Sequence, residues 1–204
     1  MLPIVILTVT PVIATDIPSE VLRIQKAYEG ISDIKGTFIQ KTYIKDLEKT
    51  KTYKGEFFIK RPSKMRWTYQ KQGKVTEEII IKGKEMLIYQ KEKSQAFKGA
   101  FDRQSYGQTP VALLNGFADI QSEFEITKKG TLLYLKPKSP MGGINSIELE
   151  PSETGFPIMS FKVTDSYSNT IEIILSDVRL NTGLKDSIFE PRIPEGISIY
   201  EYNP

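Results

Sequence analysis

The stretch GEFFIKRPSKMRWTY, residues 55–69, decides the fold of this chain. Apolar and aromatic side chains recur at alternate positions on both sides of Pro62, which is the period of a β-strand with one apolar face. The stretch therefore predicts two adjacent strands joined by a proline-containing turn, with aromatic side chains on one shared face. Arg61 falls in the turn, so a cation is expected at the edge of a large apolar surface.

A period of two continues along most of the chain, and the links between the predicted strands are short. Short links favour an antiparallel meander over βαβ units. The chain is therefore predicted to be mainly β with some α: a strongly curved antiparallel sheet of about eleven strands, whose concave side is covered by helices. The predicted strands are 34–43, 52–60, 64–69, 75–82, 85–91, 124–128, 131–136, 144–151, 157–165, 170–181 and 196–200.

Two segments carry a helical pattern instead. Residues 16–31 have apolar side chains at spacings of three and four, at Val21, Ile24, Tyr28 and Ile31, which predicts an amphipathic helix.

The second helical segment lies between the two groups of strands. Thr109 is a suitable N-cap, Pro110 suits the first helical position, and Gly116 is expected to end the helix. Leu113 and Leu114 give this short helix an apolar face. Such a helix either plugs a core or acts as a lid over a cavity, and the sequence leaves both interpretations open.

Composition narrows the possible functions. The net charge is only +3, from 28 basic and 25 acidic residues, which gives no electrostatic case for nucleic acid binding. Without His or Cys there is no near-neutral general base, no thiol nucleophile, no thiolate metal site and no acylated cysteine, and we expect no cofactor or metal. A lysine-rich stretch is interpreted as solvated surface, with a membrane surface or an acidic partner as the alternative. Its members are Lys41, Lys45, Lys49, Lys51 and Lys54.

The start of the chain predicts a secretory signal peptide over residues 1–14. This run is apolar, is too short to span a bilayer as a helix, and ends in small residues suited to cleavage before Thr15. Residues 15–204 are then expected to form a single domain.

Catalytic arrangements are hard to assemble from these residues, and no enzymatic activity is expected. Glu77 and Glu78 suggest a carboxylate-based hydrolase as an alternative, but adjacent strand residues point to opposite faces. Asp165 and Asn169 suggest calcium at first sight, although too few oxygen ligands accompany them, so a polar hairpin turn is predicted.

Binding of an apolar ligand fits the pattern better. Aromatic residues recur on one face over several strands, more than a thin sandwich needs, although an ordinary core is the alternative. The residues predicted to line an apolar cavity are Val21, Ile24, Phe38, Phe57, Ile59, Met65, Trp67, Tyr69, Ile79, Ile81, Tyr89, Leu113 and Leu114.

In order and spacing, these motifs resemble the outer-membrane lipoprotein carrier family, LolA. The resemblance covers nearly all of the chain after residue 14. The residues that carry it are 38–41 (FIQK), Gly55, 60–62 (KRP), Trp67, 109–110 (TP), 113–114 (LL), 189–191 (FEP) and 194–197 (PEGI).

The resemblance implies an open half-barrel with a helical lid that shelters the acyl chains of mature lipoproteins in the periplasm. It implies that a monomer receives its cargo from an inner-membrane ABC-type releasing complex and delivers it to an outer-membrane lipoprotein receptor. Arg61 matches the arginine that locks the lid, and Tyr28 and Leu114 fall near its partners there. A carrier or sensor of another lipid or glycolipid on the same scaffold is the alternative.

Overall fold

One curved sheet of twelve strands dominates the computed structural model, which describes residues 17–202 apart from 103 and 108–111. The strands are β1 (Asp33–Ile44), β2 (Lys49–Lys60), β3 (Lys64–Lys71), β4 (Lys74–Lys82), β5 (Glu85–Gln90), β6 (Gln95–Ala100), β7 (Phe124–Lys129), β8 (Leu132–Pro137), β9 (Ile144–Pro151), β10 (Ile158–Asp165), β11 (Thr170–Leu180) and β12 (Ser198–Tyr202). The helices are α1 (Ser19–Glu29), α2 (Leu113–Gly116) and α3 (Ile120–Glu123).

The order of the strands leaves the sheet open. It runs β12-β6-β5-β4-β3-β2-β1-β11-β10-β9-β8-β7, and neighbouring strands are antiparallel except for β12 and β6. The two end strands, β12 and β7, are not hydrogen-bonded to each other. The sheet is therefore an unclosed half-barrel, and the predicted fold class is confirmed.

The stretch 55–69 forms the β2–β3 pair at the centre of this sheet. Phe57 lies opposite Trp67, so their side chains share the concave face. Gly55 is needed here because a Cβ at this position would lie 1.7 Å from the Thr68 carbonyl oxygen. The two backbones therefore approach more closely than any other residue type permits.

The helices cover the concave face, as the sequence predicts. Helix α1 is shorter at both ends than the predicted 16–31, but Val21, Ile24 and Tyr28 point into the core as expected. Helix α2, one turn of 3₁₀ helix and α3 follow one another and form what we call the lid segment, residues 113–123. Within the described residues, no helix is long and apolar enough to cross a membrane.

Strand β6 and the extent of the lid segment go beyond what the sequence pattern predicts. The strand β6 was not predicted, because Lys98 and the small residues Gly99 and Ala100 obscure its alternation. Helix α2 ends at Gly116 as predicted, but the lid segment continues beyond it, where Phe117 and Ile120 extend the apolar face of Leu113 and are both fully buried. The predicted cap residues 109–110 and the predicted signal peptide, 1–14, lie outside the described residues.

The outer face of the sheet carries a second cover, the C-terminal strap, which we define as residues 181–197. Its side chains Leu184 and Phe189 are buried. The carboxylate of Asp33 anchors its start by accepting hydrogen bonds from the backbone N–H groups of Thr182, Gly183 and Leu184 at 2.7–3.3 Å. The strap then leads to β12 at the edge of the sheet.

Candidate functional site

The candidate site is the aromatic surface between the sheet and the helices. Trp67 stacks between Phe38 and Phe57, with ring centroids 3.9 Å and 5.4 Å apart, respectively. Tyr69 meets the Phe38 ring edge-on at 5.5 Å. These rings form a continuous aromatic column along the concave face, produced by the alternation of β1, β2 and β3.

Trp67 is fully buried, and its indole N–H makes no hydrogen bond of good geometry with a described residue, although the Tyr69 hydroxyl lies close enough to interact with it. A buried donor without a good partner costs free energy. Such a donor is able to bind a carbonyl oxygen that enters the same space.

Nearly all of the residues predicted to line a cavity lie in this region. In this structure they form the packed core between the sheet and the helices. Those found in or against that core are Val21, Ile24, Phe38, Phe57, Ile59, Met65, Trp67, Tyr69, Ile79, Ile81, Leu113 and Leu114.

The exception is Tyr89, whose prediction is wrong. Tyr89 lies opposite Glu78, whereas Ile79 and Ile88 point to the concave side. Its side chain therefore lies on the outer face of the sheet. Strand β5 carries apolar side chains on both faces, and Tyr89 is buried on the outer one, so alternation alone could not assign Tyr89.

Arg61 reaches from the β2–β3 turn to the end of helix α1. Its Nη1 donates a hydrogen bond to the backbone carbonyl of Tyr28, and its guanidinium lies 5.8 Å from the centre of the Tyr28 ring. The same carbonyl also accepts a hydrogen bond from the Ile31 N–H at 3.3 Å. Arg61 thus fixes the last turn of α1 to the edge of the aromatic surface.

Tyr28 in turn connects α1 to the lid segment. Its hydroxyl donates to the carbonyl of Leu114 at 2.6 Å, and the side chain is almost completely buried. Burial raises the pKa of Tyr28, although the positive charge of Arg61 lowers it in part. Tyr28 therefore stays protonated and remains a donor. Arg61, Tyr28 and Leu114, which the sequence grouped together, form one chain of contacts.

Two further attachments of the lid segment were not predicted. Asn115 donates from Nδ2 to the Pro62 carbonyl at 2.6 Å, while its Oδ1 is buried without a partner among the described residues. Gln121 donates from Nε2 to Oε1 of Gln25 on α1. Polar residues on a short helix are usually exposed to solvent, so the sequence gives no reason to single out Asn115 and Gln121.

The opposite end of the concave face is open. A recess of about 350 Å³ lies there, lined by Gln40, Thr42, Tyr53, Tyr69, Thr76, Glu77 and Ile171. The Tyr69 hydroxyl donates to Oε1 of Gln40 at 2.9 Å. Burial raises the pKa of Tyr69, and the negative charge of Glu77 adds to this effect. The aromatic column thus ends in a polar mouth.

The two carboxylates that suggest a hydrolase, Glu77 and Glu78, lie on opposite faces of the sheet. Glu77 faces this mouth, whereas Glu78 lies on the outer face in ion pairs with Arg66 and Lys91, at 2.9 Å and 2.6 Å. The two carboxylates therefore cannot act on one substrate.

The Asp165 carboxylate accepts hydrogen bonds from the N–H groups of Tyr167 and Asn169, which is the predicted polar turn. No cluster of acidic side chains suited to a metal ion is found in the described part of the chain.

Comparison with known proteins relates this arrangement to one family. Residues 29–192 match the family model described as outer membrane lipoprotein carrier protein LolA. Over 178 residues the chain is 27% identical to the outer-membrane lipoprotein carrier protein of Halorhodospira halophila, covering 87% of this chain and 83% of that protein. It is 29% identical over 167 residues to the protein of the same name from Nitrosomonas europaea, covering 79% of each.

A solved structure supports the fold alone. The crystal structure of an uncharacterized conserved protein from Thermus thermophilus superposes with a TM-score of 0.56 at 13% identity, over 90% of this chain and 98% of that one.

Proposed function

Because the chain belongs to the outer-membrane lipoprotein carrier family LolA, we propose that it carries mature lipoproteins and shelters their acyl chains between the sheet and the helices. The observation that carries this proposal is the latch, which we define as Arg61, Tyr28 and Leu114. Through it, a few hydrogen bonds hold two helical elements over the aromatic column. The cover is therefore attached by contacts that can break without unravelling the sheet.

Loading of acyl chains is possible because they can replace the lid segment as the apolar partner of the core. Acyl chains that enter the core replace the apolar contacts of the lid segment, and each buried methylene contributes about 0.8 kcal/mol. Against this stand the hydrogen bonds of the latch, worth about 0.5–1.5 kcal/mol each, or about 1.5–3 kcal/mol where a charged group donates. A ligand with several acyl chains can therefore displace the cover, and the latch favours closure again after release.

We also propose where the protein acts and with which partners. The mature chain, residues 15–204, acts as a single-domain monomer in the periplasm after removal of residues 1–14. It receives cargo from an inner-membrane ABC-type releasing complex and delivers it to an outer-membrane lipoprotein receptor. It acts without a cofactor and without catalysis.

The test is the substitution Arg61→Leu. The variant should fold, but it should transfer a fluorescent triacylated peptide to acceptor vesicles on the order of ten times more slowly, since loss of a charged hydrogen bond weakens the closed empty form. Arg179→Leu is the matched control, because Arg179 is exposed and makes no side-chain hydrogen bond or ion pair within the described residues. Unchanged transfer by Arg61→Leu would refute the latch.

The same assay separates the alternative ligand class. A wild-type protein that ignores the triacylated peptide but extracts a free phospholipid or glycolipid from vesicles would be a carrier of that lipid instead.

A further inference from the structure

The turns at the open end of the concave face form a second feature that the latch does not explain. Strands β1, β3, β5 and β10 all run toward this end, so the turns that follow them lie around the polar mouth. We call these turns the basic rim, and they comprise residues 45–54, 71–74, 91–94 and 165–169.

Unpaired positive charge is concentrated on the basic rim. It carries eight lysines against the carboxylates of Asp46, Glu48, Glu92 and Asp165, and the last of these is engaged in its own turn. Lys91 pairs with Glu78, but the other seven are exposed and make no ion pair with a described residue. Those seven are Lys45, Lys49, Lys51, Lys54, Lys71, Lys74 and Lys93.

The opposite end of the sheet provides a contrast. There the lysines at the ends of β2, β3 and β4 are neutralised by the C-terminal strap: Lys60 and Lys64 pair with Asp186 at 2.7 Å and 2.8 Å, and Lys82 pairs with Glu190. The lysines of the basic rim lack this neutralisation by a neighbouring segment, although Lys84 in the β4–β5 turn at the opposite end is also exposed and makes no ion pair with a described residue.

Two apolar side chains project from the same rim. Leu47 is 59% exposed at the tip of the β1–β2 turn, and Tyr167 is 77% exposed at the tip of the β10–β11 turn. The tips lie side by side, because the Lys45 N–H donates to Oδ1 of Asn169 at 3.0 Å. An exposed leucine and tyrosine among lysines match the composition of segments that lie in a membrane interface.

We propose that the basic rim docks on an anionic phospholipid surface, with Leu47 and Tyr167 entering the interface and the lysines contacting headgroups. Clusters of about four to eight basic residues are sufficient for such binding. The exposed Leu47 and Tyr167 favour a bilayer over an acidic protein segment, because charge attraction alone gives no role to apolar side chains at the tips of the turns. This inference rests on the proposed function for its purpose, since docking there brings the mouth against the bilayer that holds the acyl chains.

Flotation with vesicles tests the proposal. The protein is mixed with vesicles of phosphatidylglycerol and phosphatidylcholine, or of phosphatidylcholine alone, at low and high salt. The test variant is Lys45→Glu/Lys49→Glu/Lys51→Glu, and the control with the same change in net charge is Lys84→Glu/Lys98→Glu/Lys185→Glu. A second variant, Leu47→Ser/Tyr167→Ser, removes the apolar tips. All of these positions are exposed, so the fold should persist.

We expect binding to the anionic vesicles, a loss on the order of tenfold or more in the rim lysine variant, and little loss in the control. Removal of the apolar tips should weaken binding as well. Absence of binding at low salt, or equal losses in the two lysine variants, would overturn the proposal. In the first case, a rim variant that still impaired transfer would assign the rim to an acidic protein partner.

A separate readout keeps this inference distinct from the proposed function. Retention of the triacylated peptide in solution, without vesicles, should be unchanged in the rim lysine variant. Peptide retention without vesicle docking would refute the rim alone, whereas vesicle docking without peptide retention would refute the carrier proposal alone.

Discussion

At the scale of single residues, Tyr28 has two roles that act on different elements. Its carbonyl receives the Arg61 guanidinium and its hydroxyl holds Leu114, so it links the β2–β3 turn, α1 and the lid segment. Removing the Tyr28 hydroxyl deletes the hydrogen bond that it donates to the buried carbonyl of Leu114. Tyr28 is thus the position where the smallest substitution should affect the lid most.

The substitution Tyr28→Phe keeps the ring and deletes this hydrogen bond. We expect a loss of about 1–3 kcal/mol in the free energy of unfolding, together with faster amide exchange in residues 113–123. Urea unfolding and hydrogen exchange measure both quantities. Tyr43→Phe is the control, since Tyr43 makes no side-chain hydrogen bond in the described structure. Equal effects of the two substitutions would show that the Tyr28 hydroxyl does not hold the lid.

Gly55 provides a test of how closely β2 and β3 must approach. Gly55→Ala places a methyl group against the Thr68 carbonyl oxygen, so the two backbones must separate under Trp67. We expect a destabilisation of about 2 kcal/mol or more, the size typical of severe backbone or packing strain. Gly30→Ala is the control, because its nearest atom would be 3.9 Å away. Similar unfolding midpoints for the two variants would contradict this explanation.

At the scale of elements, the C-terminal strap depends on one buried carboxylate. Burial by itself would raise the pKa of Asp33, but the hydrogen bonds from Thr182, Leu184 and Gly183 lower it below its ordinary value. Because the folded pKa is the lower one, the stabilisation is fully present above the ordinary aspartate pKa of about 3.9. It is lost as the pH falls through the folded value.

Asp33→Asn should therefore reduce the free energy of unfolding near neutral pH by about 1–3 kcal/mol, and the difference from wild type should shrink on acidification below about pH 4. Denaturant unfolding at a series of pH values measures this. Asp46→Asn, at an exposed position without a side-chain partner in the described structure, should show neither effect. A deficit for Asp33→Asn that stayed constant down to about pH 2 would contradict the assigned role.

Elements also show how far the sequence could predict the structure. A strand with one apolar face, such as β2, follows from alternation because its opposite face is largely in contact with water. Strand β5 cannot be assigned in this way, because its outer face is also apolar and Tyr89 is buried there. Helix α2 ends at Gly116 as expected, but the turns that follow belong to the same cover because Phe117 and Ile120 pack in the core, a tertiary contact that the local pattern does not show.

Only part of the candidate site could be predicted from the sequence. Residue patterns predicted the aromatic face, whereas the association of Arg61 with Tyr28 and Leu114 came from family resemblance, and its contacts are visible only in the structure. Asn115 could not be predicted by either route, because its partner is the backbone of Pro62, and backbone acceptors leave no trace in side-chain identity.

At the scale of the whole molecule, the half-barrel has two different ends. One end is held by the latch beside Arg61, and the other opens in a polar mouth surrounded by the basic rim. Between them runs the aromatic column, with Trp67 at its centre. Under the proposed function, the acyl chains of the cargo lie against this column.

Trp67 makes this central claim directly measurable, since it is the only tryptophan in the chain. We would titrate the protein with a triacylated peptide whose acyl chains are brominated, because bromine quenches tryptophan fluorescence on contact, and use the unbrominated peptide as control. Acyl chains lying against the aromatic column should cause strong quenching by the brominated peptide and none by its control. Saturating binding of the brominated peptide without quenching would place the acyl chains elsewhere and refute their position beside Trp67.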